Sequence, residues 1–225
     1  MTRPVESHLS ILRQEKDWLA VDKPSGLSVH NSEDPENLLS LLQKQLGLMD
    51  LYPIHRLDKE TSGLQLLALN DKAASRLATQ FQDRKVQKFY QGIVAGSLPE
   101  KGVWNHSLSD QAEGWKNPAG LAQNRIPCET HFQVLKFSNY FSWLEFEILT
   151  GRQHQIRKHC ALAGRALIGD PRYGNPKYNQ KIAELYSFNR MALHCWKIIL
   201  EDNTSLEAPV PPEFQKLFQN PESKQ

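Results

Sequence analysis

Three short segments hold the residue types from which a reaction could be built. The first is HRLDKETSG, residues 55–63, where Asp58 sits in a loop that ends at Gly63, just before an apolar run. A carboxylate so placed can attack an electrophilic carbon or take a proton. The structural alternative is an Asx turn, with Asp58 folded onto amides near Thr61. The second is TGRQHQIRKH, 150–159, with Arg152 at a turn and Arg157 beside the apolar Ile156. A guanidinium there can steady a carboxylate or a phosphate, or simply lay its stem along the edge of the core. The third is VQKFYQGIVAG, 86–96, in which Lys88 and Tyr90 fall on one face of a strand. A tyrosine ring offers a stacking platform or plain core packing.

The elements that must position these residues follow from periodicity and breakers. Residues 17–30 read as a strand, a Pro-Ser-Gly turn and a second strand. ENLLSLLQKQL, 36–46, places Leu38, Leu39, Leu42 and Leu46 at helical spacing, and Gly47 stops it. After the Asp58 loop, GLQLLAL is a continuous apolar run, and a helix opens at Asn70–Asp71 with Ala74, Leu77, Ala78 and Phe81 as its buried stripe. Residues 86–95 alternate as a strand through Val86, Lys88, Tyr90 and Gly92. Polar residues 109–127, with Gly and Pro among them, form a long loop of the kind that usually serves function. Strands follow at 129–137 and 140–149. A helix from near Gln153 then carries Ile156, His159, Cys160 and Ala163 on one face, and Gly164 ends it. A strand, ALHCWKIIL, and a Pro-initiated helix, Pro212–Phe218, complete the pattern. Strands outnumber helices and do not alternate with them. That argues for an α+β fold: a mixed, mainly antiparallel central sheet flanked by helices and loops.

At 225 residues, with 40% hydrophobic and 23% charged residues, the chain suits one compact unit and excludes a disordered tail or a coiled coil. Cys128, Cys160 and Cys195 are too few and too scattered for a disulfide framework or a Cys-based zinc site. They read as thiols in a reducing cytoplasm. No apolar run approaches the ~20 residues of a membrane span, and the first residues lack a signal-peptide stretch. The expectation is a cytoplasmic protein with no membrane partner. The net charge is only +2, yet between 150 and 180 six basic residues (Arg152, Arg157, Lys158, Arg165, Arg172 and Lys177) face the single acid Asp170. Such a segment can present a phosphate-attracting face or merely a solvated one. His55, His154 and His159 invite a metal reading, but 154 and 159 face different sides of a helix, so no metal site is expected.

Taken together and in this order, the segments resemble the RluA-type pseudouridine synthases. HRLDKETSG is similar to that family's signature, KPSGLSVH (23–30) to its opening strand, and Lys88, Tyr90, Val94 and Gly96 to its tyrosine strand. GRQHQIRKH resembles its arginine motif, GDPRYG (169–174) the turn that follows, MALHCWKI (191–198) its last strand, and EAPVPPEF (207–214) its ending. Several ordered blocks are far more specific than one short pattern. The resemblance implies the pseudouridine synthase catalytic fold over residues 15–218, between an N-terminal extension at 1–14 and a tail at 219–225. The S4-type RNA-binding domain of many relatives is expected to be missing.

The activity so implied is isomerisation of uridine in rRNA or tRNA, with Asp58 as the catalytic carboxylate, either nucleophile or base. It needs no cofactor, and the chain has no HExxH, CxxC, Walker loop or GxGxxG. Burial beneath a base disfavours a charged carboxylate, and a paired guanidinium opposes that; the family supplies Arg157 as the partner of Asp58. Tyr90 would meet the flipped uridine, and Arg56 would fill the gap or hold a phosphate. Arg152, Lys158, Arg165 and Arg172 are expected phosphate contacts, with His55, Lys88 and His154 as further RNA contacts. Lys158 and Cys160 stand where relatives often carry aliphatic residues. A monomer is expected, since nothing suggests a large exposed apolar strip. Two rival classes remain: a non-catalytic RNA-binding or RNA-folding protein on the same scaffold, and a glycosidase with two carboxylates. A pure binder has no need of an acid that repels phosphate, and no second acid sits in a comparable motif, Glu60 being close to Asp58 in the same loop.

Overall fold

The computed structural model describes residues 8–31, 34–109, 114–120 and 124–219. Expectations for residues 1–7, for 110–113 and 121–123 of the long loop, and for 220–225 of the tail lie outside the described residues. The chain divides into two compact units: Met1–Gln87 with Cys195–Pro209, and Lys88–His194 with Val210–Gln225. The first elements are β1 (Ser10–Gln14), β2 (Trp18–Lys23), α1 (Leu38–Leu46), β3 (Tyr52–Pro53), β4 (Ser62–Ala68) and α2 (Asp71–Gln82). Next come β5 (Gln87–Ala95), β6 (Lys101–Trp104), β7 (Thr130–Phe137), β8 (Phe141–Ile148), α3 (Gln155–Leu162) and α4 (Pro176–Tyr186). After them come β9 (Leu193–Ile199), β10 (Ser205–Glu207) and a 3-10 helix, Pro212–Phe218.

In the first unit the strands run in the order β1-β2-β4-β9, with β3 on β4 and β10 on β9. All seven residues of β4 are buried, which is why its sequence is a continuous apolar run and not an alternation. Helix α1 starts at a reciprocal cap: the Asn37 side chain accepts from Ser40 N, and Ser40 Oγ accepts from Asn37 N. Gly47, in the left-handed region, ends it, and Leu38, Leu39 and Leu42 are buried. Helix α2 buries Ala73 and Leu77 fully, with Ala74, Ala78 and Phe81 half-buried, so its inner stripe is rotated by about one residue from the expected one. Gly63 (φ 108°) opens β4 where a Cβ would strike the backbone carbonyl of Cys195 in β9; only glycine permits that approach.

Two expectations fail here. The second strand expected within 17–30 does not form, because its carbonyls are committed elsewhere. Leu27 O accepts from the Lys23 ammonium (2.7 Å), and Ser28 O and Val29 O accept from Leu38 N and Leu39 N at the start of α1. Residues 10–14, expected as a mere extension, form edge strand β1 antiparallel to β2. Its residues are exposed or half-buried, so no strong alternation announces it.

In the second unit the order is β5-β8-β7-β6, antiparallel throughout. The expected alternation of β5 holds: Val86, Lys88, Tyr90 and Gly92 are buried. The core joins Ile93, Phe141 and Trp143 of the sheet to Ile168, Ile182 of α4, Phe188, and Phe214 and Leu217 of the 3-10 helix. Helix α4 was not anticipated: Asn175 caps it and Pro176 opens it, but Ile182 is its one buried residue, so its apolar period is weak. Helix α3 is not amphipathic. Every residue from Gln155 to Cys160 is buried, whereas Ala163, assigned to the buried face, is exposed. All three cysteines are buried thiols. The architecture is α+β with mainly antiparallel strands, as expected. Among the described residues no helix is long and apolar enough to cross a membrane.

Candidate active site

The HRLDKETSG loop is pinned on both flanks by buried polar side chains. On one flank Gln65, fully buried in β4, accepts from Leu57 N (3.2 Å) and donates to His55 O. The His55 ring accepts from Leu66 N (3.1 Å) and stacks on Phe81 at 5.0 Å. On the other flank the Lys23 ammonium, also fully buried, donates to Pro24 O (3.0 Å), Leu27 O (2.7 Å) and Lys59 O (3.2 Å). Ser25 Oγ holds Glu60 O at 2.6 Å, and Gly26 N holds Lys59 O at 2.8 Å. Asp58 is thus gripped through the residues beside it. The turn at Asp58 is closed by its own backbone carbonyl, which accepts from Thr61 N (3.1 Å). Asp58 is half-buried, Leu57 is buried and Arg56 is exposed. His55 therefore serves the loop's attachment to β4, a use that its type alone did not announce.

In the second unit, Tyr90 is buried in β5 and pairs across to Phe146 of β8. Lys88, two residues earlier on the same face, is also buried, and its Nζ lies 3.8 Å from the position a Cβ on Gly151 would take. The turn at 150–154 that leads into α3 is shaped by Gln155, whose Oε1 accepts from Thr150 Oγ1 (2.6 Å) and Arg152 N (3.2 Å). His154 caps α3 with left-handed backbone (φ 53°), uncommon outside glycine. Its Nδ1 lies 2.8 Å from the Tyr173 hydroxyl.

Arg157 is 2% exposed and is not the edge residue its type suggested. Its Nε donates to Asp170 Oδ2 (2.8 Å) and its Nη2 to Asp170 Oδ1 (2.9 Å), the fork geometry that matches guanidinium to carboxylate. Asp170 Oδ1 also accepts from Arg172 N (2.9 Å) and Tyr173 N (3.1 Å), so the GDPRYG turn folds around this carboxylate. The guanidinium lies 5.3 Å from the centre of the Tyr173 ring. Asn179 of α4 clasps the turn from outside, accepting from Gly169 N (3.1 Å) and donating to Asp170 O (2.9 Å). Asp170 is the residue that sequence reasoning missed. The available signal was a lone acid inside a basic segment.

Among the expected phosphate contacts, Arg152 and Arg172 are exposed, and Arg172 extends over Tyr173 at 6.0 Å. Arg165 is half-buried with its guanidinium against Gly96. Lys158 corrects the expectation: it is fully buried in α3, and its ammonium donates to Ser109 O at 2.9 Å, so it offers no charge to a phosphate at the surface. His159 is fully buried too, between Thr130 Oγ1 (2.8 Å) and His106 O (2.9 Å). Burial pushes its pKa below the ordinary histidine value, outweighing the hydrogen bond to His106. The Cys160 thiol is pushed well above its usual range by burial and by the charge of Asp170. Among the described residues no group of three or more His, Cys, Asp or Glu side chains is arranged to hold a metal ion.

Comparison with known proteins gives a consistent result. Residues 17–162 match the family described as RNA pseudouridylate synthase. The chain is 31% identical to a tRNA pseudouridine synthase C of Pectobacterium carotovorum subsp. carotovorum, over 88% of this chain and 56% of that relative. It is 33% identical to a ribosomal large subunit pseudouridine synthase D of Nitrosomonas europaea, over 94% of this chain and 64% of that relative. The chain thus spans less than two thirds of the length of these two relatives. The solved structure of human RNA pseudouridylate synthase domain containing 1 superimposes with a TM-score of 0.78 and 25% identity, over 99% of this chain and 92% of that one.

Proposed function

Because the chain belongs to the RNA pseudouridylate synthase family, we propose that it isomerises uridine to pseudouridine in structured RNA, with Asp58 as the catalytic carboxylate. In this reaction the N1–C1′ bond breaks, the base turns, C5 bonds to C1′, the C5 hydrogen leaves as a proton to solvent, and N1 takes up a proton in exchange. The observation that carries the assignment is the HRLDKETSG loop, gripped by Lys23 and Gln65 so that a half-buried carboxylate is presented on a rigid support. Asp58 acts as a nucleophile on the sugar or as a base, and either role needs its carboxylate. Arg157 is the cation that steadies it, Tyr90 is the ring that meets the flipped uridine, and exposed Arg56, Arg152 and Arg172 contact phosphate. The target class is tRNA or rRNA, as the names of the relatives indicate for those proteins. On this reading the protein works as a cytoplasmic monomer without metal or organic cofactor.

The test is release of tritium from RNA transcripts carrying uridine labelled at C5. The protein releases it from a tRNA or rRNA transcript, and Asp58→Asn slows release by about 10²–10⁴-fold with RNA affinity kept. Equal turnover by Asp58→Asn would remove the carboxylate from the mechanism. RNA binding with no release from any transcript would favour the non-catalytic binder.

A further inference from the structure

Helix α3 carries a second set of buried polar groups that the chemistry does not use. Gln155, Lys158 and His159, spaced i, i+3 and i+4, share one side of the helix. All three reach the 105–129 connection or the strand it enters. Gln155 Nε2 donates to Glu129 O (2.7 Å) and Thr130 Oγ1 (3.1 Å). Lys158 Nζ donates to Ser109 O, and His159 bridges His106 O and Thr130 Oγ1. Cys128 Sγ adds a weak bond to the same His106 carbonyl (3.5 Å). Both ends of the connection are therefore fastened to α3. They also clasp each other, Leu108 N to Ile126 O (3.0 Å) and Ile126 N to Leu108 O (2.8 Å).

Burying an ammonium is costly unless its bonds return the loss, and a methionine would fill the same volume. Among the bonds described for Lys158 at this site, the one to Ser109 O leads to the connection. Beyond its fastened base, that connection exposes Trp115, 52% accessible, together with Lys116 and Arg125. An exposed ring with cations on the same segment suits unpaired bases and phosphates.

We propose that Lys158 and His159 are positioning residues for RNA recognition. They hold the described ends of the connection, at His106, Ser109 and Thr130, to the helix that carries Arg157, so that RNA contacts by Trp115, Lys116 and Arg125 stay in register with that arginine. This rests on the reading of the protein as an RNA pseudouridine synthase.

The experiment compares Lys158→Met, Trp115→Ala and the double variant with wild type on tRNA and large-subunit rRNA transcripts. Lys158→Met raises KM by about tenfold while kcat stays within about twofold, and Trp115→Ala raises KM in the wild-type background. Trp115→Ala adds little once Lys158 is replaced, because the tip is already out of register. An unchanged KM for Lys158→Met, a loss confined to kcat, or full additivity of the two substitutions would overturn the proposal. If Lys158→Met does not fold, His159→Gln takes its place with the same readouts. If wild type forms no pseudouridine in any transcript, the functional reading fails separately. The tether is then judged by Kd for the same transcripts: weaker binding by the variant supports it and equal binding overturns it.

Discussion

Arg157 and Asp170 meet through two near-parallel hydrogen bonds of 2.8 and 2.9 Å, with 2% and 0% of their side chains exposed. A pair this deep is weak evidence of net stability, since both charges lost water to form it. Breaking it is another matter. In Asp170→Ala the guanidinium loses its fork partner, and the 172–173 amides lose their acceptor. The expected cost is roughly 3–5 kcal/mol, read from urea unfolding midpoints, with a fall in kcat because Arg157 is no longer oriented. Wild-type stability in this variant would show that Asp170 does not hold Arg157.

Lys23 offers a test in the other unit. Its ammonium satisfies three backbone carbonyls, one of them on Lys59, next to Asp58. Lys23→Met keeps the stem but leaves buried acceptors without that donor. A loss of about 1–3 kcal/mol is expected in urea titrations. A fall in kcat should accompany it with little change in KM, because the support of Asp58 is loosened and RNA contacts are not. A kcat equal to wild type would separate this lysine from the loop's geometry.

A pH dependence follows from His159. Its pKa is lowered in the folded state, first by burial, so as pH falls through the unfolded value of ~6.5 the unfolded chain takes up a proton that the folded chain refuses. This contribution is fully present above that pH, declines below it, and levels off once the folded pKa is passed. Unfolding midpoints measured between about pH 5 and 7.5 should drop toward the acid end, and the drop should be smaller in His159→Gln. The same slope in both proteins would assign the effect to other groups.

Two glycines with positive φ separate strain from crowding. At Gly26 (φ 89°) a Cβ meets nothing within 4 Å, whereas at Gly63 (φ 108°) it would enter the Cys195 backbone. Gly26→Ala should cost about 1–2 kcal/mol from backbone strain alone. Gly63→Ala should cost roughly 2–5 kcal/mol, because β4 must also move away from β9. Equal costs in calorimetry would mean that the close approach at Gly63 is easily relieved.

Much of this was legible in the residues themselves. The caps and stops of α1, the alternation that puts Lys88 and Tyr90 on one face of β5, and the loop and glycine around Asp58 are local matters of torsion and period. The weakly patterned pieces were not legible: β1 is an exposed edge, and α4 buries one residue. Lys158 was likewise not legible as a buried group, because its acceptor, Ser109 O, lies 49 residues away.

What the sequence by itself determined, then, is the strongly patterned part: the cap and stop of α1, the period of β5, and the loop and glycine around Asp58. Tertiary structure alone decided that Lys23, Arg157 and Lys158 are interior groups, each matched to an acceptor. The reason is energetic. A buried charge is tolerated only beside a satisfied partner. The acceptors of Arg157 and Lys158, 13 and 49 residues away, with one of the three acceptors of Lys23, 36 residues away, come within reach only when the chain has folded.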